Sequence, residues 1–405
     1  MNQRILVSGA GIAGLTSAYW LAQYGFRPTV VETSAQLRGG GNGVDVRDHA
    51  VDVAERMNIM PAIRTAATDV RGMKFVDADD RVIARVDTMA ASEVEIMRGD
   101  LVALLHRAAG SGIEYVFGDS VRALQQDEDG VTVTFDHAGN RRFDLVIGAD
   151  GLHSTVRKLA FGPEPQYLRF KDHYFAFANT EPALGEDRWV TMHNQPGKMT
   201  GVYRSGNHAQ AKAYFMFRSA PLQYDFRDVE QHKRLVSAMF GGDTSWRIQE
   251  LLATALADPD FYFDALAQVH MPTWAAGRVA LAGDAAWCAS PASGAGAELA
   301  LVGAYRLAGE LAAAGGDHRV AFPRYHESHR DLVAKKQQIG PNVRLMVPKT
   351  HTGRWIRDGF ARLPILRAAG AAERLLQPRT RPQAARIPEG PLTLTQPTVL
   401  TTKGI

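Results

Sequence analysis

Two glycine-rich stretches, far apart in the chain, hold the residues best suited to chemistry. VSGAGIAG at 7–14 places Gly9, Gly11 and Gly14 in a GxGxxG pattern. In such a loop the first glycine permits a tight turn, the second lets the backbone approach a pyrophosphate, and the third lets a helix pack closely on a strand. Glu32 stands where an acidic residue accepts hydrogen bonds from an adenosine ribose. This chemistry is the gripping of a dinucleotide, with FAD and NAD(P) both open. The second stretch, GDAAWCASPASGAGAELALVGA at 283–304, opens with Asp284, an acceptor-only carboxylate suited to the hydroxyls of a polyol chain. Its PASGAG turn then brings bare backbone N–H groups to a helix start, where they favour negative charge.

The elements that must position these loops follow from periodicity. Residues 5–8 form a short apolar strand, 15–24 a helix with apolar positions at helical spacing, and 28–32 a second strand, together a βαβ unit. Residues 101–109 read as helix, and 114–117 and 131–136 as strands. The runs 144–148 and 278–282, apolar after a leading Asp144 and Arg278, read as strands buried on both faces, the second feeding directly into Gly283-Asp284. Between 165 and 218 the texture changes to alternating, aromatic-rich runs, HYFAFA, WVTMH and KAYFMF, which suit an antiparallel sheet with one face on a pocket or core. Helices are expected from about 227 to 256. The fold class is thus α/β: a Rossmann-like cofactor domain (1–70, 98–164 and 272–345), an inserted mixed or antiparallel sheet domain for substrate (71–97 and 165–271), a C-terminal helix (346–377) and a poorly ordered tail (378–405).

Composition narrows the function. The 405 residues are 45% hydrophobic and 22% charged, with a formal charge of +3, so nucleic acid is not an expected partner. A single cysteine, Cys288, allows neither an intrachain disulfide nor a cysteine metal cluster. No apolar run approaches the roughly 18 residues of a membrane span and no signal peptide opens the chain, which reads as cytoplasmic, monomeric or homodimeric.

VALAGDAAWCASPASGAGAELALVGA resembles the Gly-Asp motif of flavoprotein monooxygenases of the para-hydroxybenzoate hydroxylase type, and DLVIGADGLHSTVRK at 144–158 resembles that family's Asp-Gly motif. With the first loop, the three motifs stand in the family's order. The resemblance implies FAD, its ADP half on the first loop and its ribityl chain and ring on the Gly-Asp motif, so that the two loops grip opposite ends of one cofactor. It further implies that Arg98 in EIMRGDL reaches the FAD backbone, that Asp150, Gly151 and Arg157 serve FAD and the nicotinamide cofactor, that Pro291 lies beside the flavin, and that the N–H groups near Gly294 and Gly296 face its pyrimidine edge. Read from the residues alone, Arg98 has the alternative of an ion pair with Asp100, and Asp150 that of satisfying N–H groups in its own turn.

The implied reaction is hydroxylation or epoxidation of an aromatic or polycyclic small molecule: NAD(P)H reduces the flavin, O2 adds at C4a, and the hydroperoxide delivers one oxygen atom. Antibiotic modification and polyketide tailoring are the subset the turn and following helix resemble most. No Ser-His-Asp set, HExxH or metal-spaced cluster competes with this. His153, His193, His270 and Tyr203 are acid–base helpers by type, and Phe175, Phe177, Met192, Tyr203, Phe215 and Phe217 are pocket candidates, of which strand alternation lets about half face the cleft. Two positions depart from the family pattern: Trp287 replaces the usual His and Glu298 the usual Asn. Trp287 suits either the flavin or substrate or packing between the two domains, and Glu298 suits the positive end of a helix. These departures keep one alternative open, a redox-neutral FAD-containing cyclase; a non-catalytic flavin-binding protein is a further alternative.

Overall fold

The computed structural model describes residues 2–87, 94–338, 346–350, 352 and 353. The expected C-terminal helix and tail fall almost wholly outside these residues. A six-stranded sheet is ordered Ala275–Ala276, Val279–Leu281, Leu145–Gly148, Arg4–Ser8, Arg27–Glu32, Glu114–Phe117. All neighbours run parallel except the short Ala275–Ala276 edge. Ile5, Leu6, Val7, Val146, Ile147, Val279, Ala280 and Leu281 are fully buried in one core with the helices Ile12–Gln23 and Gly296–Ala313 and with Val131, Val133 and Phe143 of a three-stranded sheet, which is why these strands read as unbroken apolar runs.

Register fixes the geometry of the loops. Ser8 pairs with Gly148, and Gly148 with Leu281, so the three motif-bearing strands end level with one another. The chain runs from Arg4–Ser8 to one side first and returns to the other side later, and the loops after these three strands leave at that reversal, where open parallel sheets bind ligands.

A second, seven-stranded sheet is ordered Tyr262–Val269, Leu168–Thr180, Ala211–Arg218, Lys198–Tyr203, Trp189–Gln195, Gly72–Val76, Val82–Asp87. One neighbouring pair, Trp189–Gln195 with Gly72–Val76, is parallel; the others are antiparallel. Its back face carries Tyr174, Phe215, Phe217 and Phe263 beneath the helices Val229–Phe240 and Ile248–Ala257. Its front face carries Phe175, Phe177, Met192, Tyr203, Tyr214 and Met216, as cross-strand partners show: Phe175 lies opposite Met216, Phe177 opposite Tyr214, and Met192 opposite Gly201, itself opposite Tyr214. Two of the six pocket candidates, Phe215 and Phe217, are therefore packing residues of the back face.

The strand Val94–Met97, expected with the substrate domain, pairs instead with Gly43–Val46 and buries Ile96 in the main core. A third sheet joins Val121–Gln126, Val131–Phe135 and Asn140–Phe143. Among the described residues no helix is long and apolar enough to cross a membrane.

Candidate functional site

The helix after the first strand begins at Ile12, inside the glycine loop, and its N-cap Gly11 provides no side-chain cap. Its first N–H groups are left for an anion. The three glycines do different things. Gly9 has φ +103°, and a Cβ there would stand 2.5 Å from the Ala149 carbonyl oxygen; a Cβ on Gly14 would stand 1.8 Å from the Gly9 oxygen. Both are needed to close the fold. A Cβ on Gly11 meets only the end of the Arg98 guanidinium, at 3.5 Å. The folding of the chain does not require glycine there, and the space beside it is open. Glu32 accepts from the Ala10 N–H (2.9 Å) and the Ser34 N–H (3.0 Å), one on each oxygen, which fixes its carboxylate while leaving lone pairs for further donors.

The Gly-Asp loop lies against the first. Gly283 has φ +62°, and a Cβ there would come within 2.6 Å of the Ala13 Cβ. Asp284 opens onto the cleft between the loops. The protein surrounding that cleft pushes its carboxyl above the usual carboxylate range, and the Arg98 guanidinium opposes the shift. Arg98 thus faces both the first loop and Asp284, while Asp100, its alternative partner, pairs with His208 at 3.1 Å. Pro291, Gly294 and Gly296 are exposed along the same cleft. The helix Gly296–Ala313 begins without a side-chain cap, and nothing lies within 4 Å of where a Gly296 Cβ would stand.

The Asp-Gly motif is occupied differently from expectation. Asp150 accepts from Ser154 Oγ (2.5 Å) and the Val156 N–H (3.0 Å), so its carboxylate holds its own turn. Arg157 is fully buried and donates to the carbonyls of Ala285 (3.0 Å) and Leu152 (2.6 Å) and to Glu164 (3.0 Å). With every bond directed into the protein, it ties this motif to the residue after Asp284 and does not present itself to a ligand. Gly151, with φ +84°, makes the turn possible.

Trp287 is 1% exposed and packs on Trp274 (ring centroids 4.5 Å) and His329 (4.7 Å) within the main core, neither at the cleft nor between the two sheets. Glu298 is buried in the first turn of its helix, where Lys336 pairs with it at 2.6 Å. Burial pushes the Glu298 carboxyl up and Lys336 opposes that shift. Cys288 is buried, and burial, followed by the neighbouring Asp284 charge, pushes its thiol far up. His193 is enclosed between the Val76 carbonyl and Ser245, and His270 hydrogen-bonds Gln268. Tyr203 donates to Glu95 at 2.8 Å.

Sequence reasoning missed Asp45 and Arg47, on and beside the two-stranded ribbon. A Gly294 Cβ would stand 3.2 Å from the Arg47 guanidinium and 3.3 Å from the Asp45 carboxylate, and Asp45 is Glu95's cross-strand partner. Burial pushes the Asp45 carboxyl up, opposed by Arg47 and reinforced by Glu95. The signal was present in GVDV, where Asp alternates with apolar residues in a strand that a surface reading leaves without purpose.

The family model for the FAD binding domain matches residues 2–336. The chain belongs to this family. An uncharacterised protein of Mycobacterium tuberculosis (strain ATCC 25618 / H37Rv) is 43% identical over 344 residues, covering 83% of this chain and 92% of that one. A flavin-dependent monooxygenase of Legionella longbeachae (serogroup 1, strain NSW150) is 38% identical over 344 residues, covering 84% and 88%. Among solved structures, tetracycline destructase Tet(51) superposes with a TM-score of 0.79 at 34% identity, covering 91% of this chain and 98% of that one. The protein is an FAD-dependent monooxygenase of mixed α/β fold, and its cleft fits the cofactor. Two uncapped helix starts and two glycine positions with open space beside them line one groove, the arrangement a long phosphorylated molecule with a flat ring requires.

Proposed function

We propose that this monooxygenase uses NAD(P)H and O2 to insert one oxygen atom into an aromatic or polycyclic small molecule, with fused phenolic ring systems of the tetracycline and polyketide type as the substrate class. The observation that carries the reading is the front face of the seven-stranded sheet. Ala292, in the middle of the Pro291–Ser293 turn, packs, as Phe175 does, against a buried cluster that includes Phe75, Met192, Met199, Met216 and Leu266. Aromatic and thioether side chains thus lie beside the loop that this reading sets against the flavin, and flat, polarisable substrates are what such groups bind best. The 34% identity to a tetracycline destructase supports the same class.

In this reading Gly11, the uncapped start of Ile12–Gln23 and Arg98 hold the pyrophosphate, Glu32 the ribose, and Asp284 the ribityl hydroxyls. Pro291 and Gly294 bracket the ring, and the N–H groups at Gly296 stabilise negative charge on it. When bound, FAD supplies electron transfer and oxygen activation. The chain's share is to orient the substrate on the aromatic wall, exclude water from it, and present hydrogen-bonding groups at the far edge. There Tyr203 keeps its proton, since burial, followed by the adjacent Glu95 charge, pushes its phenol far up. NAD(P)H binds transiently, in keeping with the lack of a second GxGxxG. The cyclase alternative drew on Trp287 and Glu298, both of which are buried.

The test is a panel of fused-ring phenols, tetracyclines included, assayed for substrate-stimulated NADH and NADPH oxidation with mass analysis of products. The expected result is a product heavier by one oxygen atom. Oxidation at the same rate with and without every aromatic substrate, with no oxygenated product, would overturn the reading.

A further inference from the structure

Tyr262 opens the strand Tyr262–Val269 and is 38% exposed, one of the large aromatic rings the fold leaves uncovered. One face of its ring is stacked on Phe177, with centroids 4.7 Å apart. The charges of Arg98, which faces the first loop, and of Asp284, on the Gly-Asp loop, both act on its hydroxyl. Two residues earlier, an Asp260 carboxylate oxygen lies 3.9 Å from where a Gly40 Cβ would stand, in the segment packed behind Arg98. The uncovered face of Tyr262 therefore opens into the cofactor groove, and neither the family motifs nor the reading above gives it a role.

The ring is held by a chain of charged groups. The Tyr262 hydroxyl donates to Asp264 Oδ2 at 3.3 Å, and Tyr224 donates to Oδ1 at 2.9 Å. Asp264 in turn faces His153 Nε2 at 3.1 Å, while His153 Nδ1 faces Glu164 at 3.1 Å, and Glu164 is paired with the buried Arg157. Carboxylates only accept, so both imidazole nitrogens donate, and His153 is an imidazolium. Phe226 covers its ring face at 4.4 Å. Asp264 belongs to the seven-stranded sheet and His153 to the loop after the parallel strand Leu145–Gly148, so this chain of contacts locks the two sheets together at the place where Tyr262 enters the groove.

We propose that Tyr262 packs directly against bound FAD, and that Asp264 and His153 are positioning residues that hold its ring there. The proposal depends on FAD binding and not on turnover, so it stands or falls separately from the substrate reading. A phenol in contact with a flavin quenches its fluorescence by passing an electron to the excited ring and taking it back; a phenyl or aliphatic side chain does not.

The experiment titrates apo-protein with FAD, following fluorescence, in the wild type and in Tyr262→Phe, Tyr262→Leu and Asp264→Asn, with circular dichroism of each apo-protein as the fold control. Tyr262→Phe should brighten the bound flavin while keeping FAD affinity within about threefold. Tyr262→Leu should brighten it and weaken FAD about 10-fold. Asp264→Asn should weaken FAD in the wild type and have no further effect in the Tyr262→Leu background. Unchanged fluorescence and affinity in Tyr262→Leu would overturn the contact. An Asp264→Asn effect of equal size in both backgrounds would overturn the positioning role. Should Asp264→Asn fail to fold, His153→Gln tests the same coupling, and the two Tyr262 variants decide the contact on their own.

Discussion

The three glycines of the first loop should separate into two phenotypes, although the motif presents them as one unit. A Cβ on Gly14 would stand 1.8 Å from the Gly9 oxygen, and one on Gly9 would stand 2.5 Å from the Ala149 oxygen in a backbone conformation with φ +103°. Neither obstacle is a flexible side chain, so Gly9→Ala and Gly14→Ala must shift backbone between the helix and the sheet. Each is expected to cost about 3 kcal/mol or more of apo-protein stability. Gly11 is different. Its φ of −80° and ψ of −171° are open to any residue, including a β-branched one, and the nearest atom to its Cβ is the movable end of Arg98 at 3.5 Å. Gly11→Val should change apo-protein stability by no more than about 0.5 kcal/mol. It fills the space of the pyrophosphate contact, however, and should remove at least about 3 kcal/mol of FAD binding, a hundredfold or more in Kd. Chemical denaturation of the apo-proteins together with FAD titration checks both halves. Gly11→Val that binds FAD normally, or Gly14→Ala as stable as the wild type, would refute the division of labour.

The pigment released on denaturation should be FAD and not FMN, because Glu32 and the first loop address an adenosine diphosphate half that FMN lacks; chromatography decides. Asp284→Ala should leave the circular dichroism spectrum unchanged and weaken FAD by about 10- to 100-fold, roughly 1.5–3 kcal/mol, through the loss of charge-assisted hydrogen bonds; unchanged affinity would make the loop a structural turn. Stability should also carry the signature of His153. Burial alone would lower its pKa, but Asp264 and Glu164 outweigh this and push it up to about 9. A folded-state value above the unfolded one of roughly 6.5 means that the stabilisation is complete below about pH 6.5 and is lost as pH rises through about 9, an effect on the order of 3 kcal/mol. Urea denaturation from pH 6 to 9.5 should show that decline in the wild type and a flatter profile in His153→Gln; identical profiles would contradict it.

The parallel sheet and its loops were legible because the signals are local. Unbroken apolar runs at 145–148 and 279–282 mark strands covered on both faces, and each ends in a glycine-containing turn that few other contexts require. Alternation along 173–178 likewise announced a sheet with two different faces, but which face meets the cleft depends on register with distant strands, so Phe215 and Phe217 could not be told from Phe175 and Phe177. Charge partners were still less accessible. His153 and Asp264 are 111 residues apart, and nothing near either one announces the other. Arg157 shows the same limit from the opposite side: its motif is local, while the Ala285 carbonyl that occupies it is 128 residues away.

The two departures from the family pattern find their explanation in the same long-range packing. A tryptophan at 287 fits this core because residue 303 is a glycine: a Cβ there would stand 2.5 Å from the Trp287 ring and 2.9 Å from His329. The indole fills space that a side chain on the helix Gly296–Ala313 would otherwise occupy, and the substitution is absorbed by its neighbour across the core. Glu298 is matched by Lys336 at the far end of the helix His318–Gln337, which also pairs with Asp48 at 3.0 Å. A buried carboxylate is costly without such a partner and tolerable with one. The one lysine therefore joins the start of the helix that follows the Gly-Asp loop to the end of the strand segment bearing Asp45 and Arg47. Both unusual residues serve to hold the loops in place, and the cleft they support keeps the groups that FAD requires.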